Sequence, residues 1–102
     1  MTPQELYAKL EAAKGADTAL DGALSDLVLD YDNYTKYLDA AIAFGKAFLG
    51  ENIPWQRTIG GYWQWKNDDA LRKEFVARHS TGNDCLSCCM AILKAYMETG
   101  KP

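Results

Sequence analysis

The chain has 102 residues, 48% of them hydrophobic and 25% charged, with a formal net charge of −3. That size and balance predict one domain able to bury roughly 60–70% of its unfolded surface without staples. No apolar run is long enough to span a bilayer, three clustered cysteines disfavour a secreted disulfide framework, and the charge balance disfavours a dedicated nucleic-acid binder, which usually shows a basic face.

Charge is unevenly spread: residues 1–50 carry four Lys, no Arg and eight Asp and Glu, whereas residues 51–102 carry seven Lys and Arg against six acids. The cysteines, Cys85, Cys88 and Cys89, are odd in number and close together. The N-terminus reads as a polar helix rather than a basic-then-apolar leader. Both features lead us to expect a reducing cytoplasm.

Thr2-Pro3-Gln4-Glu5 predicts a helix start, with Thr2 as cap, Pro3 in the first turn and Glu5 closing a capping box. Leu6, Leu10 and Ala13 form its apolar edge, and Gly15 is placed to end it. Asp17 can cap a second helix with Leu20, Leu24, Leu27 and Val28 inward, at the cost of Gly22 in its interior. Asp30 to Asn33 reads as a turn. A third helix, capped by Thr35 and running to about Leu49, would bury Leu38, Ala41, Ile42, Gly45, Phe48 and Leu49, with Gly50 and Pro54 ending it.

The period then changes. Two β-prone runs, 55–59 and 62–66, flank Gly60-Gly61, which predicts a hairpin with a two-residue turn. That register pairs Ile59 with Tyr62, Arg57 with Gln64 and Trp55 with Lys66. It places Trp63 and Trp65 on the opposite, buried face. A turn at 67–70 and a third strand over about 74–80 follow, with Phe75, Ala77 and His79 on one face and Val76 and Arg78 on the other. The spacing of Leu71 and Phe75 leaves a helix there as the alternative. From Asp84 to Glu98 the chain reads as the core helix. Cys85, Cys88, Cys89, Ile92 and Tyr96 share one stripe; Leu86, Met90, Leu93 and Met97 form a second; Ser87, Lys94 and Glu98 are left for water.

Several constellations contain the residue types of a site. Cys85, Cys88 and Cys89 with His79 could supply a Cys3His zinc set, but their spacing is one face of one helix and no second ligand pair exists. Core packing by small thiols is the preferred reading. His79 is the only histidine, so Ser-His or Cys-His catalysis would have to pass through it, and no nucleophile elbow or phosphate-cradling loop occurs. Asp68-Asp69 reads as a solvated turn rather than an acid/base pair. No catalytic residue, metal or cofactor is expected.

Four segments resemble a group of small phage and prophage proteins, the phage ABA sandwich domain family. They are Leu10-Glu11-Ala12-Ala13, Ala19-Leu20-Asp21-Gly22-Ala23-Leu24, Tyr34-Thr35-Lys36-Tyr37-Leu38-Asp39-Ala40-Ala41-Ile42, and Ala77-Arg78-His79-Ser80-Thr81 leading into Cys88-Cys89-Met90-Ala91-Ile92-Leu93-Lys94-Ala95. At the start of the last helix this chain departs from the family's pattern, with Thr81-Gly-Asn-Asp-Cys-Leu-Ser where members have a Thr-Pro and an Ala-Leu-rich start. The resemblance implies an α/β sandwich of viral origin and names no site.

The expected fold is therefore α+β, a single domain over residues 1–102. N-terminal helices precede a three-stranded antiparallel sheet, and the C-terminal core helix packs on that sheet. The expected function is that of a phage- or prophage-encoded accessory protein acting by protein–protein contact in the host bacterial cytoplasm, as an inhibitor of a host defence complex in the manner of an anti-CRISPR protein. The expected partner-binding face of the hairpin carries Trp55, Arg57, Tyr62 and Lys66, since Trp, Tyr and Arg are the anchors of protein interfaces. The alternative is a nucleic-acid-associated phage protein using that same face of the 55–66 hairpin to stack bases. If Arg57 proves irrelevant to binding, the acids Asp21, Asp26, Asp30 and Asp32 are next.

Overall fold

The computed structural model describes residues 2–49, 55–57, 63–66 and 74–99, with side chains over 2–48 and 77–97. Three helices come first: α1 (Pro3–Ala12), α2 (Thr18–Val28) and α3 (Leu38–Leu49). Short strands β1 (Trp55–Arg57), β2 (Trp63–Lys66) and β3 (Glu74–Ala77) pair antiparallel in the order β1-β2-β3. The chain then enters α4 (Asp84–Thr99).

α4 is the centre. Every residue from Leu86 to Leu93 is buried. At about 100° per residue, eight consecutive positions go all the way round a helix, so α4 must have neighbours on every side here. A sheet can cover one side only. α1 and α3 cover others, and β2 and β3 also lie against α4.

The expected α+β sandwich is corrected accordingly: the described body is helical. α1 contributes Leu6 and Leu10, α2 Leu20 and Leu24, α3 Ala40, Ala41 and Phe44, while Ala77 is the one strand residue in the described core. Phe44, absent from the predicted stripe of α3, is 1% exposed. It stacks on Phe48 with ring centroids 5.4 Å apart, and Phe48 meets Tyr96 of α4 at 4.4 Å. Such aromatic pairs stabilise by about 0.5–1.5 kcal/mol beyond their burial.

Local chemistry explains most helix ends. Thr2 caps α1, its Oγ1 accepting from the Glu5 amide at 3.2 Å. The helix closes at Ala13 in an extended conformation, ahead of the expected stop at Gly15. Asp17 caps α2, its carboxylate accepting from the amides of Ala19 and Leu20. α4 is capped by Asn83, whose side chain accepts from the Leu86 amide at 3.0 Å, after Gly82 turns the chain at φ +76°.

Strand register differs from expectation by one residue. Trp55 pairs with Trp65 and Arg57 with Trp63, while on the other side of β2 Trp63 pairs with Ala77 and Trp65 with Phe75. An odd number of residues separates Arg57 from Trp63, which a two-residue connection with uninterrupted pairing cannot give. Directly paired residues share a face of the pleat. Trp55 and Arg57 therefore lie on the same face as Trp63, Trp65 and buried Ala77, and Lys66, paired with Glu74, lies on the other. Ile59, Gly60-Gly61, Tyr62, Asp68-Asp69 and Leu71 lie outside the described residues, as do Gly50 and Pro54.

Candidate interaction surface

The connection between α2 and α3 carries the largest exposed apolar side chains among the described residues. Leu29 is 92% exposed, Tyr31 60% and Tyr37 52%. Leu29 closes α2 in the left-handed region, at φ 57° and ψ 33°. Glycine or asparagine is the usual occupant of such a cap, because a Cβ there crowds the backbone at a cost of roughly 1–2 kcal/mol.

This segment is exposed but pinned from beneath. Tyr34 is buried, its hydroxyl donating to the Asp30 carbonyl, and its ring meets Phe44 with centroids 5.3 Å apart. Burial first, and the nearby Asp30 and Asp32 carboxylates second, push the Tyr34 phenol above its ordinary range. Thr35 is buried too. Its amide and its hydroxyl both reach Asp21 Oδ1 at 2.8 Å, and its Oγ1 accepts from the Asp17 amide at 2.8 Å. One buried carboxylate on α2 thus holds the connection in place.

Two readings are corrected here. Thr35 was expected to cap α3, yet the first turn closes on the Tyr37 carbonyl, which accepts from the Ala41 amide at 3.1 Å. Asp21 was expected among the surface acids and is 1% exposed. Asp26, Asp30 and Asp32, its companions in that expectation, are exposed.

Three of the four expected partner-binding residues lie on described strands. Trp55 and Arg57 stand on β1 in register with the two tryptophans of β2, Lys66 occupies the opposite face of the pleat, and Tyr62 lies outside the described residues.

Histidine and cysteine serve the fold. His79 is 1% exposed. Its Nδ1 accepts from the Thr81 amide at 3.1 Å, which leaves the proton on Nε2, donated to the Leu10 carbonyl at 2.9 Å. The histidine thereby satisfies a carbonyl in the last turn of α1. Ser87, expected to face water, is fully buried; its Oγ accepts from the His79 amide at 2.8 Å and donates to the Asn83 carbonyl at 2.7 Å. Cys88 and Cys89 are buried and Cys85 partly so. Burial pushes all three thiols up, the neighbouring thiols adding to it at Cys88 and Cys89 and Asp84 at Cys85. That is the opposite of what a nucleophile or metal ligand requires. Among the described residues, no three His, Cys, Asp or Glu side chains converge into a set that could hold a metal ion.

An open hollow of about 330 Å³ lies between the end of α1 and the start of α2, lined by Lys9, Ala12, Ala13, Asp17, Ala19 and Leu20. Its carboxylate, Asp17, is committed to capping α2. Among the described residues, no helix is long and apolar enough to cross a membrane.

Leu29, Tyr31 and Tyr37 escaped the sequence reading because helical and strand periodicities mark buried faces, and a connection has neither. A signal was present nonetheless: Tyr31, Tyr34 and Tyr37 recur every third residue in an Asp-rich stretch, more aromatic than a solvated turn needs. No family model, curated protein or solved structure matches this chain, so the resemblance to the phage sandwich group rests on its quoted segments.

Proposed function

We propose that this protein acts by contact with another protein through the 29–37 segment. The setting is that of an accessory protein encoded by a phage or prophage, working in the host bacterial cytoplasm on a host or phage protein, with a host defence complex as the target class. One observation carries the contact reading. Leu29, Tyr31 and Tyr37 are exposed within nine residues of a connection whose own fold is secured by other residues, Tyr34, Thr35 and Asp21. None of the three exposed side chains belongs to the described core or to the partly buried residues packed against it. A rigidly held, amphipathic aromatic is what protein interfaces use as an anchor. The setting comes from the resemblance alone.

The test compares wild type with Leu29→Asn/Tyr31→Ser, in which asparagine keeps the left-handed cap. Both are immobilised in bacterial lysate, and the captured protein is identified and titrated. The variant should melt as wild type does and bind at least tenfold more weakly, about 1.4 kcal/mol. Equal binding by a folded variant removes this segment as the contact site.

A further inference from the structure

We infer that the partner surface has a cationic rim around an apolar pocket. This rests on the contact reading above and adds the chemistry of the occupant. Within three residues along the chain of Leu29, Tyr31 or Tyr37 are four exposed carboxylates, Asp26, Asp30, Asp32 and Asp39. Over the same stretch there is one ammonium, Lys36, held 5.3 Å from the centroid of the Tyr37 ring. The segment therefore combines exposed apolar side chains with an excess of exposed negative charge.

That pattern discriminates among occupants. A nucleic acid or an acidic protein would bring negative charge against these carboxylates. A wholly apolar partner would desolvate them without compensation. A second copy of the chain, docking through the same face about a two-fold axis, would set carboxylates against carboxylates. A basic protein surface compensates the acids at the rim while a pocket takes Leu29 or Tyr31. Because the rim stays in contact with water, its share of the binding is screened by salt and the apolar share is not.

Two synthetic helical peptides separate these shares, one of Lys and Leu, the other with Glu in place of every Lys, each followed by fluorescence anisotropy at low and high salt. Wild type should bind the Lys/Leu peptide and not the Glu/Leu peptide. Asp30→Asn/Asp32→Asn should weaken binding of the Lys/Leu peptide at least tenfold at low salt and much less at high salt. Leu29→Asn/Tyr31→Ser should weaken it at least tenfold at both. The inference is overturned if wild type fails to bind the Lys/Leu peptide, binds both peptides alike, or binds the Lys/Leu peptide no better than Leu29→Asn/Tyr31→Ser does. It is also overturned if wild type sediments as a dimer that Tyr31→Ser dissociates. Should a captured partner depend on Leu29 and Tyr31 but not on Asp30 and Asp32, the contact reading stands and the cationic rim falls.

Discussion

Asp21→Ala tests the feature that holds the proposed surface in place. Asp21 Oδ1 accepts from both the amide and the hydroxyl of Thr35 at 2.8 Å, with Asp21 and Thr35 each 1% exposed. Hydrogen bonds to a charged acceptor contribute about 1.5–3 kcal/mol each, and orphaning a buried amide costs about 1–3 kcal/mol. The hydroxyl can turn to the Asp17 carbonyl at 3.2 Å, so one of the two bonds is partly recovered. Release of a buried carboxylate offsets some of the remainder. The net loss should be about 2–4 kcal/mol, a large part of the ~5–15 kcal/mol that holds a domain of this size together. Urea unfolding of Asp21→Ala, Asp21→Asn and Asp26→Ala measures it. Asparagine keeps an acceptor in place and should cost less than alanine; Asp26, exposed on the same helix, should stay within about 0.5 kcal/mol of wild type. If Asp21→Ala costs under about 1 kcal/mol, no better than Asp26→Ala, the carboxylate does not hold the connection.

Ile92→Ala, at a fully buried position in the middle of α4, should destabilise by roughly 2–5 kcal/mol in the same assay; a loss below about 1 kcal/mol would remove α4 from the centre of the core. Leu29→Gly relieves the left-handed cap but loosens the unfolded chain, so stability should stay level or rise by up to about 1 kcal/mol. A fall of more than about 1 kcal/mol would mean that Leu29 packs in the folded protein. Native Cys88 and Cys89 should resist a thiol reagent at mildly alkaline pH, reacting only on unfolding, because burial raises both. The linkage has one sign. Where the folded state holds thiol protons that the unfolded state releases, stability is complete below the ordinary cysteine range and falls as pH rises above it, by about 1.4 kcal/mol per pH unit for each such group. Rapid titration of three thiols in the folded protein, or stability that rises above pH 9, would refute it.

The starts of α1 and α2 were legible because a cap is a local event. Thr2 and Asp17 need only the amides two or three residues ahead of them, so reading them requires no knowledge of the rest of the chain. The apolar residues of α4 were legible for a similar reason, since helical periodicity is written in the spacing of Leu86, Met90 and Leu93. Ser87 was misread by the same rule. A serine between apolar stripes looks solvated until another segment brings a backbone amide to it, and His79 does that from outside the helix.

Strand register shows a sharper limit. Which residues are β-prone is a property of each residue, but which face they share depends on parity, and a shift of one exchanges the faces. Gly60-Gly61 alone suggested the wrong parity, and Trp55 and Arg57 changed sides with it.

By itself, then, the sequence determined the starts of α1 and α2, the apolar character of α4 and the acidity of the first half, all of which follow from residue type and short spacing. Tertiary structure decided that α4 is enclosed largely by helices, that Asp21 faces Thr35 rather than water, and that Leu29, Tyr31 and Tyr37 project where Tyr34 does not. Those outcomes depend on contacts between residues distant in the chain, such as the histidine ring of residue 79 against the carbonyl of Leu10. No local pattern encodes them, because the free energy of burying or exposing a side chain is set by what the rest of the chain places beside it.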